Sequence, residues 1–174
     1  MRVVAGSARG RRLVAPKGQA TRPTADRVRE SVFDILESRG GVEGDRVLDL
    51  FAGTGALGIE ALSRGAREAV FVEWDRDAAT AIEANLRTTG LGPGRVVRRD
   101  VCSFLAADPG PFDLAFCDPP YRYEDWDAVL RMVPAGLVVV ETDSPVEPPE
   151  GWEVVLTRRY GSTVVELLRD PSER

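Results

Sequence analysis

From residue 46 onward, short apolar runs alternate with stretches whose apolar positions recur every three or four residues. A short apolar run suits a strand buried on both faces, and the longer period suits a helix with one buried stripe. Their alternation predicts a parallel sheet whose strands are connected by helices. The pattern predicts strands near 46–51, 69–73, 94–99, 112–117 and 136–141, with helices near 56–64, 76–88 and 123–132. In the helix over 76–88, Ala79, Ile82, Ala84 and Leu86 stand among charged residues, as a one-faced helix requires. After the Pro-rich turn over 144–149, two β-rich runs, 152–159 and 163–169, meet at Tyr160-Gly161-Ser162 and predict a closing antiparallel hairpin.

Upstream, Arg2 to Ala5 and Arg11 to Ala15 are β-like pieces about a Gly-rich turn, followed by a loop through Pro16 to Pro23. A helix is then expected from Ala25 to about Glu37, capped by the Thr24 hydroxyl, with Val28, Val32, Phe33, Ile35 and Leu36 as its apolar stripe. The expected fold class is α/β: a mostly parallel sheet whose last strand is antiparallel, carrying a small N-terminal hairpin and helix. Residues 1–40 form an extension too small to fold alone, and 41–174 form the main unit.

Composition narrows the chemistry. The 174 residues include no histidine, which excludes Ser-His-Asp and Cys-His catalysis, His-ligated metals and an imidazole base. Cys102 and Cys117 lack metal-ligand spacing and point to a reducing compartment. With no apolar run of 18 residues and no apolar leader after Met1, the expected protein is cytoplasmic, with no membrane and no metal, and monomeric. Formal charge is −5, unequally spread. Residues 1–29 hold eight basic residues against Asp26 alone, giving a +7 arm on a −12 body.

The first predicted strand runs through Asp49, Leu50 and Phe51 into Gly53-Thr54-Gly55-Ala56-Leu57-Gly58, and Glu73 follows Gly55 by 18 residues. This is the G-x-G-x-x-G turn and carboxylate of a dinucleotide site, so an NAD-linked Rossmann module is one reading. Asp49 opposes it, because a carboxylate inside the strand repels a pyrophosphate but suits a ligand bearing an ammonium and a sulfonium. S-adenosylmethionine is such a ligand. Glu73 is then placed for ribose hydroxyls, and Trp74 offers an apolar surface beside adenine. Asp100 is a candidate for the adenine amine or an N-cap of a helix through Ser103 and Leu105.

The fourth predicted strand ends in Asp118-Pro119-Pro120-Tyr121. Ligands of open α/β sheets bind beyond the carboxyl ends of strands, so this turn faces the same crevice as the glycine turn. Neither proline carries an N–H, which leaves a rigid turn that presents acceptors. Two fixed acceptors on the hydrogens of a nucleobase amine favour its pyramidalisation and free its lone pair for attack on a methyl group. Tyr121 is placed to stack on the base. Cys117 reads as a core residue in an apolar strand, where a thiol is inert.

With these motifs the chain resembles the class I S-adenosylmethionine-dependent methyltransferases, and among them the ribosomal small-subunit RNA methyltransferase D family. The resemblance rests on Arg2 to Gly6 with Arg9 to Leu13, on Arg22-Pro23-Thr24-Ala25-Asp26-Arg27-Val28-Arg29-Glu30, on Leu48 to Gly58, and on Asp118 to Tyr121. It implies methylation of a guanine N2 amine in 16S rRNA during small-subunit assembly, with 1–40 contacting RNA and 41–174 binding S-adenosylmethionine. Cofactor residues are then Asp49, Phe51, Gly53, Gly55, Glu73, Trp74 and Asp100. Asp118, Pro119 and Tyr121 take the base, and Arg9, Arg11, Arg12, Arg22 and Arg27 take RNA phosphates, Thr24 and Arg27 being alternatives at the cofactor's border. An N6-adenine methyltransferase acting on DNA is the rival, since it uses the same turn.

Overall fold

The computed structural model describes residues 1–16, 23–120 and 123–170, with residues 23–25 described by backbone alone. The order of elements is α1 (Pro23–Glu37), β1 (Arg46–Leu50), α2 (Ala56–Ser63), β2 (Glu68–Val72), α3 (Arg76–Thr89), β3 (Gly94–Val97), α4 (Val101–Leu105), β4 (Phe112–Cys117), α5 (Trp126–Met132), β5 (Ala135–Thr142), β6 (Glu153–Tyr160) and β7 (Thr163–Arg169). One seven-stranded sheet runs in the order β3-β2-β1-β4-β5-β7-β6. Its first five strands are parallel, and β7 runs antiparallel between β5 and β6.

The two faces of the sheet bury different residues of the same strands, as period two demands. Val47, Phe71, Leu114 and Phe116 join α1, α2 and α3 in one core. Leu48, Leu50, Val70, Val72 and Ala115 join α4 and α5 in the other. The predicted α/β class and strand sequence therefore stand, with the hairpin contributing two antiparallel strands.

Three expectations change at the edges. Strand β3 stops at Val97, because its partner β2 ends at Val72. Helix α5 starts at Trp126, since Tyr123 packs its ring edge-on against both Phe51 and Trp126, with centroids 5.1 and 5.5 Å apart. Helix α1 starts at Pro23, where a proline suits the first turn, so Thr24 lies within the helix.

The N-terminal pieces form a single antiparallel bridge, Arg2 with Arg12. Their main-chain groups are taken elsewhere: Val4 N and Ala5 N donate to Glu60 at 2.8 and 2.9 Å, and Ala8 N donates to Ser63 Oγ at 3.0 Å. Asn85 of α3 accepts from Val14 N at 2.8 Å and donates to Val14 O and Thr54 O. Val3, Ala8 and Leu13 are buried in the same core as α1 and α2. The extension is thus laid across α2 and α3 and brings Met1 to the mouth of the sheet.

Candidate active site

The glycine turn is built by two buried carboxylates. Asp49 Oδ2 accepts from Gly58 N at 2.9 Å and ties the end of β1 to the first turn of α2. Gly58 cannot be replaced without disturbance, as an added Cβ would lie 2.4 Å from the Phe71 ring and 3.1 Å from Asp49 Oδ2. Glu73 accepts from Gly53 N at 2.8 Å and from Asp75 N at 2.9 Å, fixing the turn against the end of β2. Gly53 and Gly55 have φ of 54° and 74°, the left-handed region that costs a residue with Cβ. Phe51 adopts the same region at φ 57°, an unusual conformation for a bulky side chain; its ring is thereby turned onto Tyr123.

A cavity of about 200 Å³ opens at the carboxyl ends of β1 and β4, lined by Asp49, Phe51, Gly53, Thr54, Asp118 and Glu141. Met1 and Arg29 also line it. A smaller cavity of about 60 Å³ adjoins it, bounded by Asp118, Pro119, Pro120, Tyr123, Glu141 and Thr163. Asp118 and Glu141 belong to both walls, so the two cavities share a rim. The glycine turn and the Asp-Pro-Pro turn therefore meet, as their strand ends predicted.

Burial raises the proton affinity of all three carboxylates that face this space, and Asp118 is raised further by the other two. Asp49 is 1% exposed; burial pushes its carboxyl up to about 7, the Gly58 amide opposes this, and Glu73 adds to it. Asp118 is raised well above its ordinary value, by burial first and then by Glu141 and Asp49. The residue is exposed and lines both cavities. Glu141 is raised by burial, opposed by Arg29. Such a cavity favours a cationic ligand over a polyphosphate.

The other expected residues fall in three groups. Gly55 caps α2 behind the turn, and Pro119 lines the smaller cavity. Trp74 is 73% exposed, beside Glu73 and away from the lining of either cavity. Asp100 accepts from Ser103 N at 2.9 Å and caps α4; it is not among the residues lining either cavity. Tyr121 and Arg22 lie outside the described residues. Cys117 is 1% exposed with its thiol pushed up by burial, which agrees with the core reading.

The basic arm is divided. Arg9, Arg11, Arg12 and Arg27 are exposed, with Arg11 reaching Thr88 O at 3.5 Å. Arg29, counted in the same charge, is 4% exposed and structural. It donates to Arg2 O and Asp26 Oδ1 and lies 3.7 Å from Glu60. Positive charge also gathers where the sequence reading placed none: Arg46, Arg95, Arg98 and Arg99 line a groove of about 400 Å³ between β3 and α4.

Among the charged residues lining the larger cavity, Glu141 and Arg29 are the two that sequence reasoning did not place in the site. Glu141 follows the apolar run Val138-Val139-Val140 at the end of β5, so the strand-end rule that selected Asp118 would have found it. Arg29 carried no such signal, since its burial depends on α1 packing over α2.

The strand order, the reversed β7 and the carboxylate-lined crevice at the strand ends define a class I methyltransferase. The chain belongs to the family described as Conserved hypothetical protein 95, matched over residues 1–169, which is the family of ribosomal small-subunit RNA methyltransferase D. The Bacillus subtilis protein YlbH, provisionally named an rRNA methyltransferase, is 40% identical over 97% of this chain and 98% of its own length. Ribosomal RNA small subunit methyltransferase D of Escherichia coli is 43% identical over 70% of this chain and 61% of its own. A solved Escherichia coli structure assigned as a methyltransferase, yhhF, has a TM-score of 0.87 at 34% identity, covering 98% of this chain and 97% of that one.

Proposed function

We propose that this protein methylates the exocyclic N2 amine of a guanine in 16S rRNA during small-subunit assembly, using S-adenosylmethionine, in the cytoplasm. The observation that carries the reading is that Asp49 and Asp118, from two different strand ends, open onto one cavity. One is suited to a cationic cofactor and the other to a neutral amine.

The donor set fits the cofactor. The space holds three carboxylates and one arginine, which matches a sulfonium and an ammonium and disfavours the pyrophosphate of NAD. Asp49 and the turn at Gly53 would hold it, with Glu73 keeping the turn in place and retaining lone pairs for ribose hydroxyls. When bound, S-adenosylmethionine supplies a methyl group on positively charged sulfur.

The chain's own residues do the rest by positioning. Asp118 accepts a hydrogen bond from the amine, and the rigid prolines hold that acceptor in place. Its raised proton affinity suits it to take the proton that the amine loses on gaining the methyl group. Arg9, Arg11, Arg12 and Arg27 are exposed at the surface, where they can meet RNA phosphates.

The test incubates the protein and methyl-labelled S-adenosylmethionine with small subunits lacking the modification, with naked 16S rRNA and with duplex DNA, and then maps the label. Label at a guanine N2 in rRNA is expected. Label in DNA alone, or at an adenine, would overturn the proposal.

A further inference from the structure

We propose that Glu141 accepts the N1–H of the target guanine while Asp118 accepts its 2-amino group, so that this carboxylate pair selects guanine over purines whose N1 carries no hydrogen. The inference rests on the function proposed above and assigns the residue that sets its base specificity.

Sheet register places the two acceptors side by side. β4 and β5 are neighbouring parallel strands in which Cys117 pairs with Val140. Asp118 follows the last residue of β4 and Glu141 follows Val140 within β5, so continuing the register from that pair sets their main chains one strand spacing, about 4.8 Å, apart. Both line the large cavity and the small one, so both reach the space between cofactor residues and solvent. The small cavity, about 60 Å³, has room for the polar edge of a base.

The charge of that rim is one-sided, while Thr142, Thr163 and Tyr123 add hydroxyls that can donate or accept. Pro119 and Pro120 remove two main-chain donors from it, and the ionisable groups among its lining residues are Asp118, Glu141, Asp143 and Tyr123. Guanine presents N1–H and N2–H₂ next to each other, a run of donors that two carboxylates match. Adenine presents an amine beside an N1 lone pair, and 2-aminopurine keeps the 2-amine but also has a bare N1. In both, a lone pair would face Glu141, and an acceptor opposite an acceptor is repelled. Burial raises the Glu141 carboxyl and Arg29 opposes that rise, so Glu141 acts as an acceptor above its raised range. Glu141 makes no side-chain hydrogen bond of its own within the described residues to compete for this role.

The experiment compares small subunits reconstituted with guanine or with 2-aminopurine at the position labelled in the preceding test. The nucleophile is the same in both, and only the N1 partner differs. The unmodified protein should prefer guanine in kcat/KM by roughly tenfold to a hundredfold, the worth of one hydrogen bond to a charged group. Glu141→Ala should collapse that preference by slowing guanine and leaving 2-aminopurine unchanged or faster. Glu141→Gln, whose amide can turn either its oxygen or its nitrogen to N1, should bring the two substrates close together and carries the test if the alanine variant does not fold. A preference unchanged within twofold in the folded variants overturns the assignment of Glu141 alone. Failure of the unmodified protein to label any guanine overturns the function and this inference with it.

Discussion

Replacing Asp49 by Asn should make the ligand-free protein less sensitive to rising pH. The Asp49 carboxyl lies at 1% exposure and is pushed from 3.8 to about 7. Between those values the folded protein keeps a proton that the unfolded chain has released. Stability contributed by this group is therefore lost as pH rises from about 4 to about 7. A rise of about three pH units is worth about 4 kcal/mol, spread over that window. Asn keeps an oxygen to accept from Gly58 N and removes the titration, while Asp118 and Glu141 remain in both proteins. Urea unfolding at intervals from pH 4.5 to 8 measures the difference. The wild type should lose a few kcal/mol relative to Asp49→Asn across the window, and the variant should become the more stable of the two near pH 8. Parallel stability profiles would show that Asp49 does not carry its proton in the folded state and would refute the cause given for the shift. The variant should also bind S-adenosylmethionine less well at pH 8, where the charge it lacks would otherwise face a cation.

Asp118→Ala should reduce methyl transfer by at least a hundredfold while changing S-adenosylmethionine binding, followed by calorimetry, less than tenfold, because the change removes the acceptor for the amine and leaves the glycine turn intact. Replacing Arg9, Arg11 and Arg12 together by Ala should weaken RNA binding and lower the slope of log affinity against log salt by about 2, as three phosphate contacts predict; an unchanged slope would return these residues to a solvated surface. Gly58→Ala should destabilise the fold by about 1–3 kcal/mol, read by thermal or urea unfolding, since its Cβ would overlap the Phe71 ring at 2.4 Å. The wild-type pH–rate profile should rise through the raised range of Asp118, because the group accepts a hydrogen bond only when deprotonated.

Much of the sheet was legible from local pattern. Leu48, Leu50, Val70 and Val72 alternate with Val47, Ala69 and Phe71 between two cores, which is why mostly apolar runs mark those strands. Strand ends were less legible: β3 stops where its partner stops, and Tyr123 leaves the helix to pack on Phe51. The N-terminal pieces look like strands, but Glu60 and Ser63 claim their main-chain groups. No local rule shows that contact, which spans more than 50 residues.

The site divides the same way. Asp49, Gly53 and Asp118 stand at strand ends within motifs of four to ten residues, so spacing alone marked them. Glu141 and Arg29 entered only when β5 settled against β4 and α1 against α2. The chain by itself determined the layered α/β fold, the glycine turn, the acceptor-only Asp-Pro-Pro turn and the absence of imidazole chemistry, because each depends on residues close together along it. Tertiary structure alone decided that three carboxylates share one cavity, that Arg29 is buried beside them rather than free for RNA, and that Asp118 and Glu141 stand abreast. Those are matters of strand register and helix packing, in which residues far apart in sequence are brought within reach and their charges change one another's chemistry.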